Sequence, residues 1–211
     1  MTDDDTLQIL DELPLVAILR GLRPEEAVEI GEAIVAAGFR CLEVPLNSPE
    51  PLKSVRLLRD ALDGRAVVGA GTVLSPAAVT SVVDAGGQIV ISPNTDAEVI
   101  RATKAAGLLS MPGFFTPSEA FLALKAGADV LKLFPAEVAG VAGLRAVLPV
   151  LPLGVRVYAV GGVDPDSVPR WVAAGASGFG LGSAIFKPGR TAQEAGAGAA
   201  AFVAAWKSRL G

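Results

Sequence analysis

The chain has 211 residues, of which 51% are hydrophobic and 19% are charged, and its formal net charge at pH 7 is −4. This length and apolar content predict a compact folded domain and argue against a disordered chain. The sequence has no histidine, and Cys41 is its single cysteine. The composition therefore excludes histidine catalysis, histidine-ligated metals, cysteine-rich metal sites and internal disulfides.

Charge and hydropathy also argue against nucleic acids and membranes as partners of this chain. The basic residues are scattered along the chain, which argues against nucleic-acid binding. No stretch of 18 or more apolar residues is present, so we expect no membrane span. The chain starts with the acidic segment Met1-Thr2-Asp3-Asp4-Asp5, which lacks the apolar core of a secretory signal and favours a cytoplasmic location.

Eight short apolar segments recur along the chain, at intervals that leave room for one short helix each. They are nearly continuous in hydrophobicity, as is typical of parallel strands buried on both faces. The predicted strands are 15–20, 39–46, 66–72, 88–93, 108–113, 130–135, 155–162 and 178–183.

Helices are predicted between these strands. Segments 25–37 and 117–126 have helical periodicity, and 193–210 is expected to form a closing helix. A capping residue precedes a proline at Ser48-Pro49, Ser75-Pro76, Thr116-Pro117 and Asp164-Pro165, which predicts four helix starts.

Eight strand–helix units predict a (β/α)8 TIM barrel, formed as a single domain by residues 1–211 with residues 1–13 as an N-terminal extension. A doubly wound open sheet is the alternative. The first strand is not followed by a Gly-x-Gly-x-x-Gly turn, which weakens the dinucleotide-binding form of that alternative.

One lysine lies inside a predicted strand, where an ammonium group is poorly solvated. Lys132 alternates with Val130 and Phe134, so these three side chains share one strand face. Desolvation lowers the pKa of a lysine and frees its neutral amine to attack a carbonyl group. The alternative interpretation is that Lys132 pairs with a carboxylate at a strand end.

Glu43 is the corresponding acidic residue, within the predicted strand 39–46. Apolar surroundings raise the pKa of a carboxyl group and suit it to proton transfer near neutral pH. Glu43 can instead neutralise Lys132 or Arg20. These interpretations overlap, since a lysine–carboxylate pair in a barrel mouth is often catalytic.

Small residues end the last two predicted strands, as Gly161-Gly162 and Gly182-Ser183. In phosphate-binding barrels, backbone N–H groups of these two loops hold the phosphate. Glycine lets the backbone approach an anion closely. We therefore predict a phosphate site here, with tight strand-to-helix turns as the alternative explanation.

Four other residues lie at predicted strand ends, where a barrel holds its substrate. Arg20 and Thr72 offer a charge and a hydroxyl group to a substrate carboxylate, although Arg20 can equally be a structural ion-pair partner. Pro93 and Phe134 are predicted to form apolar walls.

From about Leu13 to its end, the chain resembles the class I aldolases of 2-keto-3-deoxy-6-phospho sugar acids. Five segments carry the resemblance: VAILRG (16–21), GAGTVL (69–74), ISPN (91–94), LKLFP (131–135) and AVGGV (159–163). The resemblance implies a (β/α)8 barrel that acts without a metal or other cofactor and usually assembles as a homotrimer. It implies that Lys132 forms the Schiff base and that Glu43 is the general acid and base.

The resemblance also assigns binding roles. It implies that Arg20 and Thr72 contact the carboxylate side of the substrate. The residues matching the family's phosphate site are Gly161, Gly162, Gly182 and Ser183.

The segment EVPLNSP (43–49) is similar to the branch of this family that cleaves 2-dehydro-3-deoxy-6-phosphogalactonate. The branch acting on the gluconate epimer usually has an arginine where this chain has Asn47. The two substrates differ in configuration at C4. The resemblance therefore favours cleavage of the galactonate substrate to pyruvate and D-glyceraldehyde 3-phosphate, and Asn47 joins the candidate substrate contacts.

Three alternatives stay open at this point. The first is cleavage of the gluconate epimer, or of both epimers. The second is a non-catalytic barrel that binds sugar phosphates. The third is a sugar-phosphate isomerase or epimerase, because one fold supports many chemistries.

Overall fold

The structure, a computed structural model, describes residues 3–208, with side chains from Thr6 onwards. Its strands are β1 (Leu15–Ile18), β2 (Cys41–Pro45), β3 (Val67–Gly71), β4 (Ile89–Ile91), β5 (Leu109–Met111), β6 (Gly113–Phe114), β7 (Leu131–Leu133), β8 (Val157–Val160) and β9 (Gly178–Leu181). Its helices are α1 (Asp3–Glu12), α2 (Pro24–Ala36), α3 (Pro51–Ala61), α4 (Pro76–Asp84), α5 (Ala97–Ala105), α6 (Pro117–Ala126), α7 (Ala136–Val147), α8 (Val168–Ala173) and α9 (Ala192–Ser208). Within this part of the chain, none of the helices has the length and apolar content needed to span a bilayer.

The parallel strands close into a barrel. Their hydrogen-bonded order is β5-β4-β3-β2-β1-β9-β8-β7-β6, and only Pro112 separates β5 from β6 in the chain. This stretch bonds to both neighbours, because the Ser92 N–H donates to the Met111 carbonyl (3.2 Å) and the Lys132 N–H donates to the Pro112 carbonyl (2.9 Å). The predicted (β/α)8 barrel is confirmed, and the open doubly wound sheet is excluded.

Two sequence predictions are wrong in detail. The predicted strand 108–113 is divided at Pro112, which has no N–H for a continuous ladder. Ser48 does not cap a helix: α3 begins at Pro51 after Glu50, whose φ of +40° is left-handed, and the Ser48 hydroxyl accepts a 2.9 Å hydrogen bond from the Gly21 N–H instead.

The other three predicted caps are confirmed. Ser75 accepts a hydrogen bond from the Ala78 N–H at the start of α4. Thr116 caps α6 in the same way, with Glu119 completing a capping box. Asp164 caps the 3₁₀-helix Pro165–Ser167 that precedes α8. The end of the predicted helix 193–210 lies outside the described residues.

Alternation along the strands divides the apolar side chains into two clusters. Outward-facing residues such as Leu42 and Leu131 pack between the sheet and the helices. Inward-facing residues fill the amino-terminal half of the barrel, and they include Val16, Cys41, Val67, Ile89, Leu109, Val130 and Tyr158. Cys41 and Tyr158 are buried, and burial raises the pKa of both, so neither suits proton transfer near neutral pH.

Helix α1 covers the amino-terminal end of the barrel. Leu10 is fully buried in the inner cluster, and its carbonyl accepts a 3.4 Å hydrogen bond from the Tyr158 hydroxyl. Asp11 holds the Arg156 guanidinium through two hydrogen bonds of 2.7 Å. The carboxyl ends of the strands are therefore the end at which the barrel interior is accessible.

Candidate active site

A cavity of about 830 Å³ lies at the carboxyl ends of the strands. Nine residues singled out from the sequence line it together: Arg20, Thr72, Pro93, Lys132, Phe134, Gly161, Gly162, Gly182 and Ser183. The other two are not among its lining residues: Glu43 is buried on β2, and Asn47 is exposed in the loop that follows.

Lys132 projects from β7 into the barrel and is only 6% exposed. Its Nζ lies 4.9 Å from the centre of the Phe134 ring. Burial lowers the pKa of Lys132, and the positive charge of Arg20 lowers it further, while Glu43 opposes both effects. The amine is therefore more readily neutral, and more nucleophilic, than a solvated lysine.

Glu43 lies on β2, where it pairs with Ile18 of β1 and Gly69 of β3. It is 2% exposed, and its Oε2 has no hydrogen-bond partner among the described residues. Burial raises the pKa of Glu43, and the charges of Lys132 and Arg20 counter this only in part. A carboxyl group with a raised pKa keeps its proton to higher pH than a solvated one, so it can act as a proton donor as well as an acceptor.

Thr72 enters the cavity from a strained backbone position. Its φ is +57°, in the left-handed range that a β-branched residue rarely adopts. Hydrogen bonds fix the chain on both sides, since the Leu46 N–H donates to the Gly71 carbonyl (2.8 Å) and the Ser92 hydroxyl donates to the Val73 carbonyl (2.7 Å). Such over-determined strain is typical of functional sites.

Arg20 is exposed at the mouth of the cavity, and its Nη1 donates a 2.9 Å hydrogen bond to Asn47 Oδ1. Asn47 thus bonds to a residue of the cavity wall without lining the cavity itself. Together with the contact between Gly21 and Ser48, this bond joins the loop after β1 to the loop after β2.

The predicted phosphate end of the cavity contains two glycine turns. Gly161 and Gly162 have φ values of +107° and +67°, which glycine adopts without strain. At the other turn, the N–H groups of Ile185 and Phe186 donate to the Gly182 carbonyl at 2.8 and 2.9 Å. The following chain is held by Arg190, whose Nη1 donates to the carbonyls of Ala184 and Ile185, both at 2.7 Å.

Two charged residues of the cavity were missed by the sequence analysis. Glu137, in the first turn of α7, lies so close to Gly161 and Gly162 that a methyl group on either glycine would overlap its side chain. Lys187 follows the Gly182 turn and lines the same end of the cavity. Both residues lie beyond the carboxyl end of a strand, in segments where charged residues are common, so the sequence gives no signal that marks them.

Comparisons with known proteins agree with this geometry. A family model described as KDPG and KHG aldolase matches residues 7–196. The 2-dehydro-3-deoxy-6-phosphogalactonate aldolase of Escherichia coli (strain K12) is 42% identical over 204 residues, covering 97% of this chain and 100% of that protein. A Rhizobium meliloti (strain 1021) protein named as a probable aldolase of the same substrate is 44% identical over 200 residues, covering 95% of this chain and 94% of that protein.

Structural comparison gives the same result. A solved structure described as "Native KDPGal structure" superposes with a TM-score of 0.93 at 42% identity, covering 94% of this chain and 97% of the other. The chain belongs to the KDPG and KHG aldolase family.

Proposed function

We propose that the protein is a class I aldolase that cleaves 2-dehydro-3-deoxy-6-phosphogalactonate to pyruvate and D-glyceraldehyde 3-phosphate. The observation that carries the proposal is the buried pair Lys132 and Glu43, which are 6% and 2% exposed and interact electrostatically. Burial lowers the pKa of Lys132 and raises the pKa of Glu43, so it favours the neutral form of each. Two relatives named for this activity match nearly the whole chain.

The reaction begins with imine formation. The neutral Lys132 amine attacks the C2 ketone and gives a carbinolamine. Glu43 donates a proton to the departing hydroxyl group, so that water leaves and a protonated imine forms. This cation withdraws electrons from C3 and supplies the electrophilic stabilisation that carbon–carbon cleavage needs.

Cleavage and release follow. Glu43, now ionised, takes the proton of the C4 hydroxyl group, directly or through one water. The C3–C4 bond breaks, its electron pair moves into the imine, and D-glyceraldehyde 3-phosphate leaves an enamine on Lys132. Proton return from Glu43 to C3 restores the imine, and its hydrolysis releases pyruvate and the free amine.

The phosphate end of the cavity provides binding energy away from the reacting bond. The glycine turns at Gly161-Gly162 and Gly182-Ser183 line this end together with the positively charged Lys187. We assign phosphate binding to their backbone N–H groups. Phosphate binding here aligns C2 with the amine and converts remote binding energy into rate.

Covalent trapping tests the class of reaction. Pyruvate with borohydride should label Lys132 in the wild type and should leave Lys132→Ala unlabelled. Lys207→Ala, which changes an exposed lysine of α9, is the matched control and should label normally. Labelling at Lys187 would overturn the assignment of Lys132 as the Schiff-base lysine. No labelling together with sugar-phosphate isomerisation would overturn the aldolase assignment. Absence of pyruvate release would favour a non-catalytic barrel.

A second measurement tests the substrate. The value of kcat/KM should be higher for the galactonate substrate than for its C4 epimer. A strong preference for the gluconate epimer would contradict the choice of substrate and leave the class I mechanism intact.

We also propose that the protein assembles as a homotrimer. The apolar side chains of Phe115, Phe121, Leu122 and Val138 are between 44% and 69% exposed. Phe115 and Val138 line one hollow of about 360 Å³ beside the start of α6. Exposed apolar surface of this kind is commonly covered in an assembly. Sedimentation equilibrium should give three copies, and a concentration-independent monomer would overturn this assignment.

A cytoplasmic location completes the proposal. The proposed substrate is a multiply charged phosphate ester, which does not cross a bilayer unaided, so the enzyme must share the compartment where the ester is made. Cell fractionation that follows the aldolase activity tests this location.

A further inference from the structure

We propose that Gly71 is a positioning residue: the absence of a side chain at the end of β3 creates the space that fixes the Glu43 carboxylate in its working orientation. The inference rests on the proposed function, in which Glu43 moves the protons. The role of Gly71 gives a structural reason for the orientation of the Glu43 carboxylate.

The geometry is direct. A Cβ atom built on Gly71 would overlap both Oε2 and Cδ of Glu43 and would lie 3.0 Å from Oε1. The carboxylate therefore rests on the Cα face of Gly71. In the strand register Gly71 pairs with Pro45, whereas Glu43 pairs with Gly69, so the Glu43 side chain leans toward the carboxyl end of the barrel to reach this place.

The backbone does not require glycine at this position. The φ of Gly71 lies outside the left-handed range, unlike that of Gly161 or Gly162, and the residue is a regular part of β3. Alanine fits this extended conformation. Glycine is therefore needed at this position for the space that it leaves above its Cα atom, and not for its backbone conformation.

Hydrogen bonding does not explain the position of the carboxylate either. Oε2 of Glu43 is buried and has no hydrogen-bond partner in the part of the chain that the structure describes. Contact with Gly71 is therefore a close steric restraint on an oxygen that no hydrogen bond holds. Because the carboxylate is the end of a flexible side chain, a methyl group on Gly71 would rotate it away and leave the strands in place.

A double-mutant cycle in the full chain tests this role. We expect Gly71→Ala to lower kcat by about 100-fold, at the lower end of the range for loss of a general acid–base, with KM changed less than about threefold. The pH profile of kcat should change as well. In a Glu43→Gln background the same change should cost less than about twofold, since the group it displaces no longer transfers protons.

Two controls sharpen the cycle. Gly196→Ala makes the same chemical change in α9, outside the cavity, and should leave kcat unchanged. If Gly71→Ala fails to fold, Gly71→Ala combined with Glu43→Asp should fold, because the side chain shorter by one methylene withdraws from the new methyl group. Failure of both variants to fold would overturn the proposal.

The remaining outcomes are also decisive. A Gly71→Ala enzyme with kcat within threefold of the wild type, or an equal loss in both backgrounds, contradicts the role of Gly71. Borohydride trapping of pyruvate on Lys132 of the wild type is measured in parallel. Absence of wild-type trapping contradicts the proposed aldolase, whereas normal trapping with an unaffected Gly71→Ala contradicts the positioning role alone.

Discussion

Arg20 Nη1 donates a 2.9 Å hydrogen bond to Oδ1 of Asn47, so a residue outside the cavity orients a cation on its wall. Asn47 is the residue on which the choice between the C4 epimers is based, and this hydrogen bond shows how it can influence the cavity. An arginine in place of Asn47 removes the acceptor and brings a second positive charge toward Arg20.

We expect Asn47→Ala to raise KM by about three- to tenfold with little change in kcat, because loss of one hydrogen bond worth about 1 kcal/mol frees Arg20. Asn47→Asp keeps an acceptor and is the matched control, with a KM near that of the wild type. Asn47→Arg should shift the ratio of kcat/KM toward the gluconate epimer. Steady-state kinetics on both epimers measure all three, and an unchanged KM in Asn47→Ala would show that Arg20 acts independently of Asn47.

The buried pair predicts opposite pH dependences of stability. The folded-state pKa of Glu43 is raised, so its contribution to stability is complete below its usual pKa of 4.5 and is lost as pH rises through the raised value. Glu43→Gln should therefore unfold at higher urea concentration than the wild type at pH 8 and at a similar concentration at pH 4. Each unit of pKa displacement adds about 1.4 kcal/mol to the difference. A variant less stable than the wild type at pH 8 would contradict this sign.

The stability of Lys132→Met relative to the wild type should depend on pH in the opposite direction. The folded-state pKa of Lys132 is lowered, so the folded protein gains stability as pH rises through that value toward the usual 10.5. The methionine variant should gain most over the wild type at low pH. Urea titrations at several pH values separate the two variants. Lys132→Met should lack aldolase activity, whereas Glu43→Gln should keep a residual rate about 100-fold or more below that of the wild type.

The strained backbone of Thr72 predicts that a substitution relieving the strain will stabilise the protein and impair its activity. A left-handed φ costs a non-glycine residue about 1–3 kcal/mol, which exceeds the entropic cost of glycine of about 0.5–1 kcal/mol. Thr72→Gly should therefore raise the free energy of unfolding by about 1 kcal/mol while raising KM through loss of the hydroxyl group. Glu50→Gly relieves a left-handed residue outside the cavity and should stabilise the protein with kinetics unchanged. A destabilised Thr72→Gly would contradict the strain argument.

Lys187 gives a test of the phosphate end. Lys187→Gln should raise KM for the phosphorylated substrate by roughly tenfold, the effect of losing one charge-assisted hydrogen bond. Inhibition by inorganic phosphate should weaken in parallel, while trapping of pyruvate on Lys132 should not change. Lys207→Gln serves as the control for loss of a surface charge. Equal phosphate inhibition in wild type and Lys187→Gln would place the phosphate elsewhere.

The sequence was sufficient to predict the barrel because its strands are apolar on both faces and its helix starts are marked by local capping residues. The prediction failed where a contact between distant segments determines the local structure. The Ser48 hydroxyl is used by Gly21 rather than by its own helix. A local feature was also missed, since Pro112 has no N–H and divides a strand whose hydropathy is continuous.

Part of the candidate site was also predictable from the sequence. Lys132 and Glu43 stand out because charge inside an apolar strand is visible in the sequence. Glu137 and Gly71 do not stand out, since their importance lies in which atoms they meet on the neighbouring strand or its following turn. A glycine in a strand gives no indication that it leaves room for a carboxylate on the neighbouring strand.

The seal made by Leu10 and Tyr158 at the far end of the barrel has a kinetic consequence. A substrate that reaches Lys132 must enter keto-acid end first, with its phosphate trailing toward the mouth. After cleavage the aldehyde fragment stands between the covalently held three-carbon unit and solvent. Departure is therefore ordered, with the triose phosphate first and pyruvate last, and added pyruvate should compete with the intact sugar acid for the empty enzyme.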